Sequence, residues 1–286
     1  MNRIIRKLAV VLLLLSIIST DVNSQKRNIS SPFFIIQVTD PQFGMFESNK
    51  GFTAETELYE KAVSEINKLR PDFVVITGDL VNDKDNLTQI AEFKRITSRI
   101  NSEIPVYYSP GNHDIGQSPE PEDIDLFINN YGHDRFSIKH KNCLIMGLNS
   151  CIIKSKTPDL ELLQFDWLQK QLSKGKKSNQ ILIFTHYPFF INSSDEPETY
   201  SNIAIEIRNR YLSIFKDFNV DAVFAGHLHN NSTAKFGDID LIITSAVGKP
   251  LGRAPSGIRI IKVYPDRVES EYYDLGEAPE SVIFLP

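Results

Sequence analysis

The tetrapeptide Gly111-Asn112-His113-Asp114 puts an amide, an imidazole and a carboxylate on consecutive residues. It follows the apolar run 105–108 and a Ser109-Pro110 turn, so these groups fall where a strand ends. Strand ends of that kind are where open α/β sheets bind ligands. Gly111 permits a sharp turn and leaves room beside the backbone. Asn112 offers a hard carbonyl oxygen, His113 a titrating proton donor and Asp114 a carboxylate that can orient it. The arrangement recurs along the chain. Asp40 follows the apolar run 33–38, Gly78-Asp79 follows 73–77, His186 follows 181–184, and Gly226-His227-Leu228-His229 follows 222–225. Each alone could be a turn former, a helix cap or a core histidine. Five at equivalent positions point to one site.

A mixture of carboxylate, amide oxygen and imidazole suits divalent Mn, Fe, Zn or Mg. It does not suit a cysteine-rich structural zinc site. The donors are too many for one tetrahedral ion, whereas two divalent ions sharing a carboxylate would use them. The remaining histidines, His133 and His140, stand in a polar loop and a hairpin and read as solvated.

The elements that must position these groups are legible from periodicity. The runs 33–38, 73–77 and 106–109 read as buried strands. Between them, 53–69 carries an apolar stripe at Leu58, Ala62, Ile66 and Leu69, stopped by Arg70-Pro71. The stretch 86–100 starts at a capping Asn86. Strand, helix, strand, helix, strand predicts a βαβαβ unit with a parallel sheet. A helix over 122–131, a hairpin of 136–139 with 143–148, helices over 160–172 and 203–218, and strands 181–184 and 222–225 follow. Four short strands after residue 232 are expected to pair antiparallel and close a second sheet. Trp167 reads as core.

In this order, Asp40, Gly78-Asp79, Gly111-Asn112-His113-Asp114, His186 and Gly226-His227-Leu228-His229 resemble the motifs of the calcineurin-like metallophosphoesterase superfamily, over residues 33–273. The run 39–44, with Ser245-Ala246-Val247-Gly248 and Ser256-Gly257-Ile258-Arg259, resembles its branch of small single-domain serine/threonine phosphatases. The resemblance implies an α/β fold, a four-layer αββα sandwich with two mixed β-sheets and a metal site at the strand C-terminal ends. It implies that Asp79 bridges two divalent ions, that Asp40 and His229 hold the first, and that Asn112, His186 and His227 hold the second. His113, oriented by Asp114, would protonate the leaving oxygen of a phosphate ester, most directly a monoester, attacked by a hydroxide between the ions, or stabilise charge on the phosphoryl group. A phosphodiesterase acting on small or cyclic nucleotides is the alternative within the fold. A non-catalytic metal- or phosphate-binding protein is a second alternative, against which the intact His113-Asp114 pair argues. The superfamily usually has histidine two residues after the first aspartate, where this chain has Gln42. Its carbonyl oxygen can ligate, as a weaker and harder donor than imidazole. Arg253 and Arg259 lie near the last strands and could grip a phosphate bidentately, or be ordinary surface arginines.

The 286 residues are 41% hydrophobic and 23% charged, ordinary for a globular protein. Arg3, Arg6 and Lys7 ahead of the apolar run 8–18, with small and polar residues to Ser24, read as a secretory signal peptide over 1–24. A membrane anchor at 8–18 is the alternative, and that run is short for a span. Residues 25–32 would be a flexible lead, 33–275 one domain and 276–286 a tail. Removing 1–24 takes away a net +2, so the rest carries −7 against −5 for the whole chain. An acidic chain of this kind is a poor binder of nucleic-acid polymer. Cys143 and Cys151 could pair after export or remain buried thiols; their spacing is not that of a zinc site.

Overall fold

The computed structural model describes residues 31–155 and 157–285, so the expected leader 1–24 lies outside the described residues. Eleven strands form two sheets among these residues. The first sheet contains β1 (Phe33–Val38), β2 (Phe73–Thr77), β3 (Val106–Ser109), β10 (Gly257–Val263) and β11 (Val268–Asp274), in the order β11-β10-β1-β2-β3. The second contains β4 (Phe136–His140), β5 (Cys143–Gly147), β6 (Gln180–Phe184), β7 (Ala222–Ala225), β8 (Ser232–Phe236) and β9 (Ile239–Ile243), in the order β4-β5-β6-β7-β9-β8. In the first sheet β1, β2 and β3 run parallel, and in the second β5, β6, β7 and β9 do.

The strands of each sheet's centre are apolar on both faces because both faces are covered. On β1 and β2, Phe33, Ile35, Phe73 and Val75 face Ile145, Leu182, Phe184 and Phe224 of the other sheet. The alternate residues Phe34, Ile36, Val74 and Ile76 pack with Ala62 and Ile66 of α1 (Thr53–Leu69) and with Ile90 and Phe93 of α2 (Leu87–Thr97). Behind the second sheet, Leu144, Met146, Ile183 and Val223 pack with Leu168 and Leu172 of α6 (Pro158–Gly175) and with Tyr211 and Phe215 of α7 (Ile205–Asp217). The result is the four-layer αββα sandwich. The α1 stripe lies where the periodicity puts it, and Arg70 ends the helix in the left-handed region. Asn86 caps α2, its side chain accepting from the Thr88 and Gln89 N–H groups.

The final four strands depart from the expectation. β8 and β9 close the second sheet, with β9 parallel to β7, but β10 and β11 return to the first sheet, where β10 lies antiparallel to β1. Alternation identifies a strand, while its partner is set by non-local packing that no local pattern carries. Two short helices, α3 (Asn112–Ile115) and α5 (Ser150–Ser155), have too few residues to show a period; α4 is Pro121–Tyr131. His133 and His140 are half-buried rather than solvated. The Tyr108 N–H donates to His133 Nε2 at 3.4 Å, and His140 Nε2 meets Asp72 Oδ1 at 2.8 Å. Cys143 and Cys151 are both buried free thiols. Leu275, Ala278, Val282 and Phe284 of the C-terminal segment pack against the core. Among the described residues no helix is long and apolar enough to cross a membrane.

Candidate metal centre and active site

The parallel strands of both sheets deliver their C-terminal ends to one edge of the sandwich. The joint is direct. His227 N, after β7, donates to Asp40 Oδ2, after β1, at 3.0 Å, and His186 Nδ1, after β6, lies 2.9 Å from the Thr77 carbonyl at the end of β2. The Val247 N–H bonds the Thr39 carbonyl at 2.9 Å. Asp40, Gln42, Asp79, His227 and His229 all take the left-handed backbone region that non-glycine residues avoid. Such strain persists where the surroundings over-determine it, and it gathers at functional sites.

Two groups of donors result. Asp79, His186 and His227 have ligand atoms within 4.8 Å of one another, as do Asp40, Asp79 and His229. Asp79 belongs to both. In the first group, His186 Nε2 stands 3.1 Å from Asn112 Oδ1, 3.1 Å from His227 Nδ1 and 3.4 Å from Asp79 Oδ2. The Thr77 carbonyl accepts a hydrogen bond from His186 Nδ1–H, so in the neutral ring Nε2 is a lone pair among other lone pairs. In the second, the Lys249 carbonyl engages His229 Nδ1 at 2.6 Å, turning Nε2 toward Asp40 Oδ1 at 3.2 Å. Asp40 Oδ1, Gln42 Oε1 and His227 Nε2 are buried without a hydrogen-bond partner. Converging acceptors with orphaned lone pairs fit divalent cations, and the mixed oxygen and nitrogen set fits those that accept both.

The electrostatics agree. Burial alone lowers the basicity of His186, but the Asp79 carboxylate outweighs it and holds the ring at about 9. Burial, then the charge of His186, pushes His227 down to about 3 and keeps that lone pair free. Burial opposes ionisation of Asp79, and the imidazoles, His186 first, hold it well below the usual carboxylate range. The field that retains a proton on His186 is the field that attracts a cation.

Asn112 and His113 open α3 beside this cluster, with the His113 N–H donating to Asp79 Oδ1 at 2.8 Å. The Asn82 carbonyl, 2.8 Å from Nδ1, fixes the His113 ring. Asp114 does not orient it, contrary to the sequence-based expectation. The Asp114 oxygens accept from the Leu80, Val81 and Gly111 N–H groups. Adjacent residues on a helical turn point apart, which sends Asp114 into the core and His113 toward the opening. Burial, and then Asp79, push the Asp114 carboxyl up. Its part is to tie the α3 turn to the loop after Asp79.

Gly111 has an ordinary backbone angle, φ −103°, so room rather than flexibility demands it. A Cβ there would lie 2.1 Å from Asp79 Oδ1 and 2.2 Å from Asp79 N. Gly111→Ala is expected to lower stability by about 1–3 kcal/mol through overpacking and to displace Asp79. Thermal unfolding and metal content measured together check this, and an unchanged metal content would show that the carboxylate has not moved.

The structure thus brings Asp40, Asp79, Asn112, His186, His227 and His229 together, with His113 beside them. Gln42 is adjacent, its N–H on the Asp79 carbonyl at 2.8 Å and its Nε2 on Asn82 Oδ1 at 3.0 Å, which leaves its own carbonyl oxygen free. Arg253 follows a turn anchored to the His229 carbonyl and is exposed. Arg259 does not join them; its side chain runs between the sheets.

Sequence reading missed several contributors. Asn82 touches both Gln42 and His113 but sits in a polar loop with no distinguishing pattern. Tyr200 lies on the loop before α7, its ring centroid 5.1 Å from that of His227 and its hydroxyl 3.4 Å from Asn112 Nδ2. A threonine closes β2, and others directly follow β1, β6 and β9: Thr77, Thr39, Thr185 and Thr244, all fully buried. That repetition was a readable signal. The Thr39 hydroxyl, for one, bonds Asp40 Oδ2 at 2.6 Å.

A sandwich of this topology with such a cluster at its edge defines a metallophosphoesterase. Residues 35–231 match the family described as Calcineurin-like phosphoesterase, well over half the chain. The chain belongs to that family, which uses divalent metals, and is a metal-dependent phosphoric ester hydrolase. Human serine/threonine-protein phosphatase CPPED1 is 34% identical over 272 residues, covering 88% of this chain and 87% of that protein. A protein of Arcobacter nitrofigilis named as a probable glycerophosphodiester phosphodiesterase, GpdQ, is 30% identical over 220 residues, covering 74% of this chain and 77% of its own. Among solved structures, a dimetal phosphatase from Danio rerio shares the fold with a TM-score of 0.55 at 15% identity, over 85% of this chain and 99% of that one.

Proposed function

We propose that this chain is an exported phosphomonoesterase working with two divalent ions, of the protein serine/threonine phosphatase type. The observation that carries the dinuclear reading is Asp79, the residue common to both donor groups. Asp40, Asp79 and His229, with Gln42, would hold one ion; Asp79, Asn112, His186 and His227 the other. Bound there, the ions supply neutralisation of the phosphate charge and a water made acidic enough to act as nucleophile. The chain's own part is positioning and proton transfer. Asn82 fixes Nδ1 of His113, which leaves the protonated ring an Nε2–H to give to the departing oxygen. No serine or cysteine is required. The likeness to CPPED1 over most of both chains supports monoesters, phosphoserine and phosphothreonine among them. Export rests on the Arg3, Arg6, Lys7 and 8–18 pattern alone, and N-terminal sequencing of the secreted chain, expected to begin near residue 25, tests it.

Hydrolysis of an aryl phosphate against an aryl phosphodiester, with metal content measured alongside, tests the main reading. The monoester is expected to be the better substrate, with two ions per chain. The likeness to GpdQ favours a second reading, a diesterase, and preference for the diester would establish it over the first.

Gln42 gives an independent handle. Its buried carbonyl oxygen has no partner, so as a ligand it donates through oxygen. Gln42→Ala is expected to raise the metal concentration needed for half-maximal activity about 10–100-fold, and Gln42→His to lower it and shift preference toward Zn. Activity against free metal concentration reads both, and three superimposable curves would remove Gln42 from the ligand set.

A further inference from the structure

Arg259 lies between the two sheets, with 5% of its surface exposed. Its Nε donates to Thr244 Oγ1 at 2.7 Å, Nη2 to Asn231 Oδ1 at 3.2 Å and Nη1 to Ser270 Oγ at 3.4 Å. All three partners are neutral, and among the described residues no carboxylate pairs with this guanidinium. The Tyr272 ring, 5.9 Å from Cζ, offers only a π face. A guanidinium has five N–H donors, so two remain without a protein acceptor. Burial makes the charge unfavourable enough to bring its pKa down to about 10. A buried cation is ordinarily matched by an anion.

Beside it a cavity of about 450 Å³ separates β8 and β9 of one sheet from β10 and β11 of the other. Arg259, Ser270 and Thr233 give it polar groups, and Ile242, Val268 and Ala222 give it apolar walls. Asp240 also lines it but is engaged by Lys235 at 2.8 Å, so it does not neutralise Arg259. An unmatched buried cation, unused donors and a hydroxyl on one wall are the components of an oxyanion site.

We infer that this cavity is a second oxyanion-binding site, in which the Arg259 guanidinium and the Ser270 hydroxyl hold a small phosphate or carboxylate. It is distinct from the metal cluster and does not depend on the phosphatase reading. The two are nevertheless connected. Thr244 Oγ1, which accepts from Arg259, donates to Gln37 Oε1 at 2.7 Å; Gln37 Nε2 donates to Thr77 Oγ1 at 3.0 Å; and the Thr77 carbonyl meets His186 Nδ1. Changes at Arg259 therefore reach a residue of the metal cluster, and binding rather than turnover is the proper readout.

The test uses the full chain carrying Asp79→Asn, which disables the metal cluster, unfolded thermally against inorganic phosphate and against malonate at constant ionic strength. A saturable rise in Tm of about 5 °C is expected at a hundred times the half-saturating concentration. The ion that saturates at lower concentration identifies the occupant as phosphate or carboxylate. Adding Arg259→Gln is expected to abolish the rise. Because that change could unfold the chain, Ser270→Leu, which removes the hydroxyl and crowds the space beside the guanidinium, is expected to abolish it as well. No rise with either ion, or an equal rise in the Ser270→Leu chain, overturns the inference; the latter would be the general effect of excluded salts or binding elsewhere.

Discussion

Asp79→Asn should lower kcat/KM on an aryl phosphate by about 1000-fold. Its carboxylate belongs to both donor groups, with Oδ2 3.4 Å from His186 Nε2 and Oδ1 accepting the His113 N–H at 2.8 Å. Asparagine keeps the shape and can still accept that hydrogen bond, so what is removed is the one negative charge common to both donor groups. Losing about 4 kcal/mol of charge stabilisation in the transition state corresponds to that factor. Burial opposes ionisation of Asp79, yet neighbouring imidazoles hold it ionised, so the charge is present to be lost. The metal-free variant loses the attraction between that carboxylate and the imidazoles but is relieved of its repulsion with Asp114, and thermal unfolding measured alongside shows whether the variant is folded. Metal analysis should find fewer than two ions per chain. Activity within tenfold of the unaltered protein, with two ions retained, would sink the shared-carboxylate reading.

His113→Gln should reduce kcat by about 100–1000-fold while leaving metal content unchanged. The imidazole is in neither donor group, and its Nδ1 is tied to the Asn82 carbonyl at 2.8 Å. In the proposed mechanism its remaining nitrogen serves the substrate. The loss should be smaller for 4-nitrophenyl phosphate, whose leaving group departs without a proton, than for an alkyl phosphate or phosphoserine, whose oxygen must be protonated. Steady-state kinetics on the two substrates with both proteins measure the difference. Equal losses on both would move His113 from leaving-group protonation to general stabilisation of phosphoryl charge.

The sequence by itself determined which groups meet. Asp40, Asp79, Asn112, His186 and His227 each lie two or three residues past a short apolar run, and a buried parallel strand is such a run, so they were readable as equivalent strand ends. The helices α1, α2, α4, α6 and α7 were readable because each is long enough to show its apolar face, and the Asn86 cap is a local signal. These are properties of residues close in the chain. Tertiary structure decided what depends on residues far apart: that β10 joins β1 rather than closing the second sheet, and that Asn82 and not Asp114 holds the His113 ring. It also carried Arg259 away from the metal cluster, because the side chain of an inward-facing strand position points between the sheets, where Thr244 and Asn231 of the opposing layer receive it. Side-chain direction follows from the register in which two sheets pack, and a register between strands distant in sequence leaves no mark on either strand alone.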